Sequence, residues 1–313
     1  MSARRVIVTG ATGFIGRHTI PLLIERGYEV FSIGRGALPP DLFALQARSP
    51  ERFAHSALDL LDSSSVSPWL ATVRASHMLH FAWDTRHGLF WSSEENEVWL
   101  ARSRDLIRSF VEHGGRRFVG AGTCAEYEWG SAPLSEVTSP LIPTTPYGRA
   151  KLRLSQFLAQ PDVSSSLSCA WGRVFHLFGP YEHEKRLVSS ACLALLKGEA
   201  FPATAGHQRR DFSSTIDIAH AFVSLLDSDV TGDINIASGE VWTVGDLLRG
   251  IARHLGREGL LRLGEIPVAP TDPPVIIADT SRLRDEVRFR FPSAVAKRLA
   301  ETVEWWRAQT RSR

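Results

Sequence analysis

Residues 6–16, VIVTGATGFIG, decide the fold. A short apolar run enters a loop with glycines at positions 10, 13 and 16, and the amphipathic segment IGRHTIPLLIERG follows it. A strand, a glycine-rich turn and a helix in this order form the context of a dinucleotide-binding loop. In that role Gly10 permits the tight turn, Gly13 lets the backbone approach a pyrophosphate, and Gly16 allows the helix to pack closely on the strand. The spacing is GxxGxxG rather than GxGxxG, so an ordinary strand–helix turn is the alternative for this motif alone.

Short apolar runs alternate with longer amphipathic segments along the next part of the chain. The predicted strands are YEVFSIGR, HMLHFAW, RRFVGAG and LSCAWGRVFHLFG, and the predicted helices are ENEVWLARSRDLIRSFVEHG and PYGRAKLRLSQFLAQ. This alternation predicts an α/β fold with a Rossmann-type, doubly wound parallel sheet. The alternation of short apolar runs and amphipathic segments becomes less regular after residue 170. We therefore expect a dinucleotide-binding domain over residues 1–170, to which some later segments return, and a smaller C-terminal lobe formed mainly by residues 171–313.

Composition narrows the class of protein. A chain of 313 residues that is 43% hydrophobic can bury a large core. Its net charge of +2, with both signs well mixed, gives no reason to expect a nucleic-acid partner. The three cysteines, Cys124, Cys169 and Cys192, are odd in number and widely spaced, which suits neither a disulfide framework nor a metal site. No apolar run reaches the roughly 20 residues of a membrane helix. We expect a cytoplasmic protein with no membrane partner.

The stretch YGRAK begins at Tyr147 and places Lys151 one helical turn later, on the same face of a helix. A hydride reaction at a carbinol or ketone needs a group that exchanges a proton with the oxygen. Free tyrosine has a pKa of about 10, and a neighbouring ammonium group lowers it. Tyr147 is therefore predicted as the general acid or base, and Lys151 as the residue that tunes it. A surface tyrosine and lysine on an ordinary helix are the alternative.

Several motifs together resemble the extended short-chain dehydrogenase/reductase family. These are the glycine loop, YGRAK, HFAW at residues 80–83 and GTCAEY at residues 122–127. Three later stretches resemble the nucleotide-sugar branch of that family: RVFHLFGP at 173–180, GHQRRDFSSTIDIAHAF at 206–222 and GDINIASGEVWTVGDLL at 232–248. The resemblance covers nearly the whole chain. No single motif is decisive, but their order and separation are specific.

The resemblance implies roles for further residues near the reaction centre. Lys151 would also hold the nicotinamide ribose. Thr123 takes the place of a family Ser or Thr whose hydroxyl donates to the substrate oxygen while charge develops there; a β-branched residue ending a strand is the alternative. Asn96 takes the place of an asparagine that braces the site, although a polar residue at a helix start is nearly as common.

The end of the second strand usually selects the cofactor. An acidic residue there accepts hydrogen bonds from the adenosine ribose, whereas an arginine pairs with the 2′-phosphate of NADP. In VFSIGRGALPP no acidic residue occurs before Asp41, and Arg35 stands in the selecting position. NADP is therefore predicted, with NAD second; an exposed loop arginine is the alternative.

Other cofactor contacts are implied by the resemblance and lie on the glycine loop and at two strand ends. They are Gly10, Thr12, Gly13, Phe14, Ile15, Gly16, Asp59, Leu60 and Ala82. Trp83, next to Ala82, replaces a residue that is usually small. It either narrows the cleft or packs in the core.

Substrate contacts are implied mainly in the second lobe. Arg210 matches a family arginine that meets the diphosphate of a nucleotide sugar, and we expect Asp211 to brace it; a purely structural ion pair is the alternative. His176 replaces the asparagine of the family pattern RxxNxYGP. It keeps a donor but changes the shape and can titrate, unless it is structural. Arg186 is predicted to contact phosphates, although a solvated charge run is also common.

One departure from the family narrows the chemistry. Sugar 4,6-dehydratases have Thr-Asp-Glu where this chain has Thr123-Cys124-Ala125, and both acids that serve elimination are missing. Glu126 is displaced by one residue, which would put it on the opposite strand face if the strand continues. This departure disfavours a dehydratase.

The sequence therefore predicts NADP-dependent reduction of a keto group, at C4, of a nucleotide-linked 6-deoxy sugar. The alternatives are a 4-epimerase that retains its cofactor and a cofactor-binding regulator without chemistry. The expected partners are a nucleotide-diphosphate sugar and a second copy of the chain. The homodimer would form through the two helices that contain Asn96 and Tyr147.

Overall fold

The computed structural model describes residues 4–130 and 133–311. The strands are β1 (Arg5–Thr9), β2 (Glu29–Gly34), β3 (Phe53–Ala57), β4 (His77–His80), β5 (Arg117–Thr123), β6 (Ser168–Val174), β7 (His176–Phe178), β8 (Phe201–Ala203), β9 (Arg209–Ser214), β10 (Gly232–Ile236), β11 (Val241–Thr243), β12 (Leu261–Leu263) and β13 (Val275–Ile276). The helices are α1 (Gly16–Glu25), α2 (Pro40–Arg48), α3 (Ser63–Val73), α4 (Glu95–Glu112), α5 (Pro146–Leu158), α6 (Pro161–Ser164), α7 (Leu187–Lys197), α8 (Thr215–Asp227), α9 (Val244–Leu255), α10 (Ser281–Asp285) and α11 (Val295–Arg311).

A seven-stranded parallel sheet in the order β10-β6-β5-β4-β1-β2-β3 forms the centre of the molecule. One hydrophobic cluster joins its first face to α3, α4 and α5, and another joins its second face to α1, α2 and α8. This arrangement confirms the predicted Rossmann-type, doubly wound sheet. The strand order reverses between β1 and β4. In open sheets of this kind ligands bind outside the carboxyl ends of the strands at such a switch point.

The glycine loop lies at this switch point, and its backbone explains two of its glycines. Gly10 has φ +69°, and a Cβ on it would lie 2.7 Å from the backbone nitrogen of Ala82. A Cβ on Gly16 would overlap the carbonyl oxygen of Gly10. The turn from β1 into α1 therefore requires glycine at both positions.

The second lobe has two small sheets of its own. One has the order β11-β9-β13 with β7 also paired to β9, and the other joins β12 to β8. Its hydrophobic core lies among α7, α9 and α11. The predicted strand LSCAWGRVFHLFG is divided, because β6 ends at Val174 and β7 begins at His176 in a different sheet. Residue 170 falls inside β6, and β10 and α8 return to the central sheet.

Cys124, Cys169 and Cys192 are buried and free. Within residues 4–130 and 133–311, none of the helices combines the length and the apolar character that crossing a bilayer takes.

Candidate active site

The glycine loop has the shape of an anion cradle. Thr12 and Gly13 are exposed, while Phe14 and Ile15 are half-buried. A Cβ on Gly13 would meet only the carbonyl oxygen of Gly10, at 3.1 Å. In the first turn of the helix that follows, the N–H groups of Arg17 and His18 donate to the carbonyl oxygens of Gly13 and Ile15, and the helix presents its positive dipole end to the loop. The loop therefore fits the pyrophosphate of a dinucleotide.

The ends of β1 and β4 are joined by a polar link below this loop. Oγ1 of Thr9 lies 2.8 Å from Nδ1 of His80 and accepts a hydrogen bond from the backbone nitrogen of Ala82 at 3.2 Å. Nε2 of His80 lies 3.1 Å from Oγ of Ser103. Burial lowers the pKa of His80 to about 3, so its imidazole is neutral. The sequence analysis did not predict these contacts of His80. A histidine at the end of an apolar strand could have indicated them.

The loop after β2 contains Arg35, which is exposed. Within the described ranges no ion pair involves Arg35. The first acidic residue after the strand, Asp41, accepts a hydrogen bond from Nε of Arg17 at 2.7 Å and a second one from its Nη2. Asp41 is therefore engaged by α1, whereas the Arg35 guanidinium remains available to a ligand.

His55 of β3 contacts the strand before Arg35 and the loop that contains Arg35. Its Nδ1 lies 2.8 Å from Oγ of Ser32, and its Nε2 lies 2.9 Å from the carbonyl oxygen of Gly36. A carbonyl can only accept, so Nε2 of His55 donates the hydrogen bond to Gly36. The backbone beside Arg35 is thus tied to the neighbouring strand.

The segment after β3 contains the predicted Asp59 and Leu60. Oδ1 of Asp59 accepts a hydrogen bond from the backbone nitrogen of Leu61 at 3.0 Å, and Leu60 is buried. Asp62 caps α3 by accepting from the backbone nitrogen of Ser64 at 3.1 Å. Asp59 and Leu60 therefore lie at the carboxyl edge of the sheet, on the same side as Arg35.

Strand β5 ends at Thr123, and one 3₁₀ turn, Cys124–Glu126, follows. Oγ1 of Thr123 accepts from the backbone nitrogen of Ala125 at 3.2 Å, and Oε1 of Glu126 accepts from that of Thr123 at 2.9 Å. The strand does not continue, so Glu126 does not lie on an opposite strand face. This reciprocal cap turns its carboxylate into the interior, where it accepts from Nε of Arg173 at 2.7 Å.

Helix α5 lies directly on that turn. Oγ1 of Thr145 caps the helix by accepting from the backbone nitrogen of Gly148 at 3.1 Å. A Cβ on Gly148 would overlap the carbonyl oxygen of Ala125. This close approach brings Tyr147 to Thr123. The ring of Tyr147 meets Phe90 edge-on, with centroids 4.9 Å apart.

Tyr147 is buried, and burial raises the pKa of its phenol above the ordinary value; the negative charge of Glu126 acts in the same direction. The Thr123 side chain and the charge of Arg186 oppose this rise without cancelling it. Burial is the largest cause of this rise, and the tuning of Tyr147 by Lys151 stays a prediction. Tyr147 is protonated at neutral pH.

Lys151 is also buried, and its Nζ donates to the carbonyl oxygen of Ala121 at 2.8 Å. Burial lowers the pKa of Lys151 to about 7. The ammonium form therefore coexists with the neutral amine near neutral pH.

Asn96 lies in the first turn of α4 and connects three segments. Its Oδ1 accepts from Nε1 of Trp83 at 2.8 Å, and its Nδ2 donates to the carbonyl oxygens of Phe90 and Ser93, each at 2.8 Å. Asn96 therefore fixes the loop that carries Phe90, a ring that packs on Tyr147. This geometry is that of a bracing residue.

Arg186, just before α7, and His176, on β7, face the same region as Tyr147. The charge of Arg186 acts on the phenol of Tyr147 and on the imidazole of His176. Burial, and then the positive charges of Arg210 and Arg186, lower the pKa of His176 to about 3. Its buried Nδ1 has no hydrogen-bond partner among the described residues. The imidazole of His176 therefore does not titrate near neutral pH, contrary to expectation. It is neutral, and it faces the same region as Tyr147 with one nitrogen free among the described residues.

Arg210 is buried, but Asp211 does not brace it. Nη2 of Arg210 donates to Oδ1 of Asp272 and to the carbonyl oxygen of Pro273, each at 2.6 Å. Asp211 instead accepts from the backbone nitrogens of Ser238 and Gly239, at 3.0 and 2.9 Å. The prediction for Asp211 is wrong because consecutive residues of a strand point to opposite sides. No local signal in the sequence marked Asp272.

Comparison with known proteins identifies relatives over nearly the whole chain. The model of the NAD dependent epimerase/dehydratase family matches residues 6–237. The UDP-glucose 4-epimerase of Schizosaccharomyces pombe is 24% identical, with 96% of this chain and 93% of the relative covered. The dTDP-4-dehydro-6-deoxy-D-allose reductase of Streptomyces bikiniensis is 25% identical, with 99% and 98% covered.

A solved structure agrees with these relatives. MoeE5 in complex with UDP-glucuronic acid and NAD superimposes with a TM-score of 0.81, at 25% identity, and covers 97% of this chain and 99% of its own. These findings confirm the resemblance drawn from the glycine loop, the Tyr147–Lys151 pair and the later motifs. The protein belongs to the NAD-dependent epimerase/dehydratase family of extended short-chain dehydrogenases/reductases and is a nucleotide-sugar modifying, NAD(P)-dependent enzyme.

Proposed function

We propose that the protein reduces a keto group, at C4, of a nucleotide-linked 6-deoxy sugar with NADPH. The observation that carries this proposal is a buried, protonated Tyr147 beside Thr123, with the Glu126 carboxylate held by Arg173 and by the backbone nitrogen of Thr123. A protonated phenol is ready to give a proton, as a reduction requires. The acid pair that elimination needs is missing from the turn after β5.

In the proposed reaction, NADPH held by the glycine loop would supply the hydride that the carbonyl carbon receives. Tyr147 donates its phenolic proton to the carbonyl oxygen, so that the ketone becomes a secondary alcohol. The hydroxyl of Thr123 donates a hydrogen bond to the same oxygen while negative charge develops on it. In its ammonium form Lys151 stabilises the phenolate that is left, and it holds the nicotinamide ribose. Solvent then returns the proton to Tyr147.

The preference for NADP is supported by the loop after β2. The Arg35 guanidinium is exposed, and no ion pair in the described residues engages it, whereas Arg17 already occupies Asp41. A 2′-phosphate is therefore met by a cation, and the ribose hydroxyls of NAD lack a free carboxylate there. Gly10, Gly13, Gly16, Asp59, Leu60 and Ala82 form the rest of the proposed cofactor site.

The substrate is proposed to bind with its diphosphate between the two lobes. Arg186 and Arg210 offer guanidinium groups to the phosphates, and the neutral His176 offers a hydrogen-bonding nitrogen. Residues 171–313 accordingly form most of the substrate-binding lobe.

The family relatives leave a 4-epimerase as a second candidate, since the S. pombe relative carries that name. An epimerase would use Tyr147 and Thr123 in both directions and retain its cofactor. The test is to add NADPH and a dTDP- or GDP-linked 4-keto-6-deoxy sugar and to follow absorbance at 340 nm with product analysis. A reductase consumes one NADPH for each alcohol formed. Isomerisation of UDP-glucose with no net loss of cofactor would establish the epimerase instead.

We further propose a cytoplasmic homodimer formed by the outward faces of α4 and α5. These helices pack side by side, and an ion pair between Glu97 and Arg153, 2.7 Å long, joins them. Val98 lies on the exposed face of α4. Light scattering gives the mass in solution: about twice 34.7 kDa is expected, and 34.7 kDa would contradict a dimer.

A further inference from the structure

Trp83 is the one departure in the HFAW motif that the proposed reaction leaves without a role. It follows the end of β4, where the family usually has a small residue, and it is 8% exposed. Its ring lies against the reaction centre: Nζ of Lys151 is 4.0 Å from the centroid of the indole. This distance is well within the range in which an ammonium group is attracted to the face of an aromatic ring.

The indole is held in this orientation by two contacts. Its Nε1 donates to Oδ1 of Asn96 at 2.8 Å, and Asn96 is in turn bound to the carbonyl oxygens of Phe90 and Ser93. On another side the indole packs against Trp99, with ring centroids 6.2 Å apart and planes tilted by 30°. Because Asn96 binds Nε1 and Trp99 packs on the ring, the indole of Trp83 keeps its face towards Lys151.

The other groups around Nζ of Lys151 do not replace its contact with the indole of Trp83. The carbonyl oxygen of Ala121 takes one of its N–H donors at 2.8 Å, and the indole of Trp171 lies farther away, at 5.6 Å. The facing titratable groups are the Glu126 carboxylate, which favours the charged form of Lys151, and the neutral His80 on β4. An ammonium group has three donors, so two remain for a ribose or a phenolate.

We propose that Trp83 is a positioning residue for Lys151: its indole face holds the ammonium group beside Ala121, and Asn96 orients the indole. The inference rests on the role proposed above for Lys151 but can be measured separately from it. Trp83 thereby increases the charged fraction of a buried lysine. Burial alone lowers the pKa of that lysine, and a cation–π contact in a desolvated site opposes the effect. Asn96 thereby acts on Lys151 indirectly, because its hydrogen bond to Nε1 orients the indole of Trp83.

The chain allows a direct test because it has only four lysines, Lys151, Lys185, Lys197 and Lys297. In protein labelled with ¹³C-lysine, the ¹³Cε shift of each residue reports its own titration, and Lys151→Arg assigns the signal of Lys151. For wild-type protein the pKa of Lys151 is expected at about 7. For Trp83→Leu it should fall by about one unit, and for Trp83→Phe by less, since a benzene ring keeps part of the attraction.

Trp306→Phe is the matched control. Trp306, on α11, is buried in the core of the second lobe, its Nε1 has no partner among the described residues, and no cation–π contact joins it to Lys151 within those residues. This variant should leave the titration of Lys151 unchanged. An unchanged titration in Trp83→Leu, or an equal shift in Trp306→Phe, would overturn the proposal. Should the leucine variant fail to fold by near-ultraviolet circular dichroism, the smaller shift in Trp83→Phe decides.

A second measurement separates this inference from the proposed function. Binding of NADPH, followed by its fluorescence between pH 6 and pH 9, should weaken at a lower pH in Trp83→Leu than in the wild type. The titration of Lys151 could shift as expected in Trp83→Leu while Lys151→Met still binds NADPH and reduces the 4-ketosugar normally. That result would contradict the proposed role of Lys151 in the reaction but support its contact with Trp83.

Discussion

The proposed reaction centre and the loop after β2, which carries Arg35, are held very differently. Thr123, Tyr147 and Lys151 are all less than 10% exposed, and backbone contacts fix the strand and helix that carry them. Arg35 is exposed, and the loop that carries it is held by the imidazole of His55 and by the backbone hydrogen bond from Leu58 to Gly34. Both regions belong to one proposed site, but only the first is continuous with the hydrophobic core.

This difference predicts how substitutions in the two regions will act. Packing on both sides constrains the proton-transfer group, because moving Tyr147 would require moving Phe90 and the turn beneath α5. A substitution at Arg35, the proposed cofactor-selecting residue, should change the free energy of unfolding little, since an exposed side chain has few contacts to lose. Substitutions should therefore have their largest effects at the centre and progressively smaller effects towards the loop.

The largest effect is expected for Tyr147→Phe. Removing the phenolic oxygen removes the proton donor, and general acid catalysis of this kind contributes about 10²- to 10⁴-fold to kcat. The aromatic packing with Phe90 is retained, so the affinity for NADPH and the near-ultraviolet circular dichroism should match those of the wild type. Steady-state reduction of a nucleotide 4-ketosugar measures the loss, and a change below tenfold would show that another group donates the proton.

The next effect is expected for Arg210→Ala. Loss of a buried, hydrogen-bonded guanidinium from an anion site should weaken binding of a nucleotide diphosphate by about a hundredfold. Calorimetry with UDP, dTDP and GDP gives the affinity and also identifies the base. Arg209→Ala is the matched control, because Arg209 is the exposed neighbour on the same strand. Equal losses in the two variants would contradict a specific role for Arg210.

A smaller effect is expected for Arg35→Ala. The affinity for NADPH should fall by roughly tenfold, which is the lower end for a charge-assisted hydrogen bond at an exposed position. The affinity for NADH should not change, and salt should weaken NADPH binding to the wild type more than to the variant. Arg48→Ala, an exposed change on α2, serves as control. Tighter binding of NADH than of NADPH by the wild type would refute the cofactor preference.

The smallest effect is expected for His55→Ala. Losing the hydrogen bond to Gly36 frees the loop backbone without removing a ligand group, so NADPH should bind about two- to fivefold more weakly. The ratio of NADPH to NADH affinity should shrink with it, and Tyr147-dependent kcat should stay the same. A loss as large as that of Arg35→Ala would mean that His55 itself touches the nucleotide.

Much of the fold could be predicted because its signals are local. The glycine loop, the alternation of strands and helices and the spacing of Tyr147 and Lys151 are set by residues within one or two turns of each other. Asn96 and Arg35 could be proposed for the same reason, from their places next to predicted elements. Helix and strand ends were less certain, as the division of LSCAWGRVFHLFG into β6 and β7 shows.

The failures concern partners that are distant in the chain. Arg210 pairs with Asp272, 62 residues away, and not with its neighbour. Glu126 turns back to meet Arg173, 47 residues away, because the strand stops at Thr123. Such pairs depend on how sheets and helices pack, and they leave no pattern in a single sequence.

The sequence alone determined that this chain builds a Rossmann-type sheet, a glycine turn and a tyrosine–lysine pair on one helical face, since backbone sterics and side-chain periodicity decide these. The tertiary structure decided the charges: a protonated Tyr147, a Lys151 whose pKa is lowered by burial, and a neutral His176. Ionisation depends on burial and on neighbouring charges in space, and both exist only once the chain has folded.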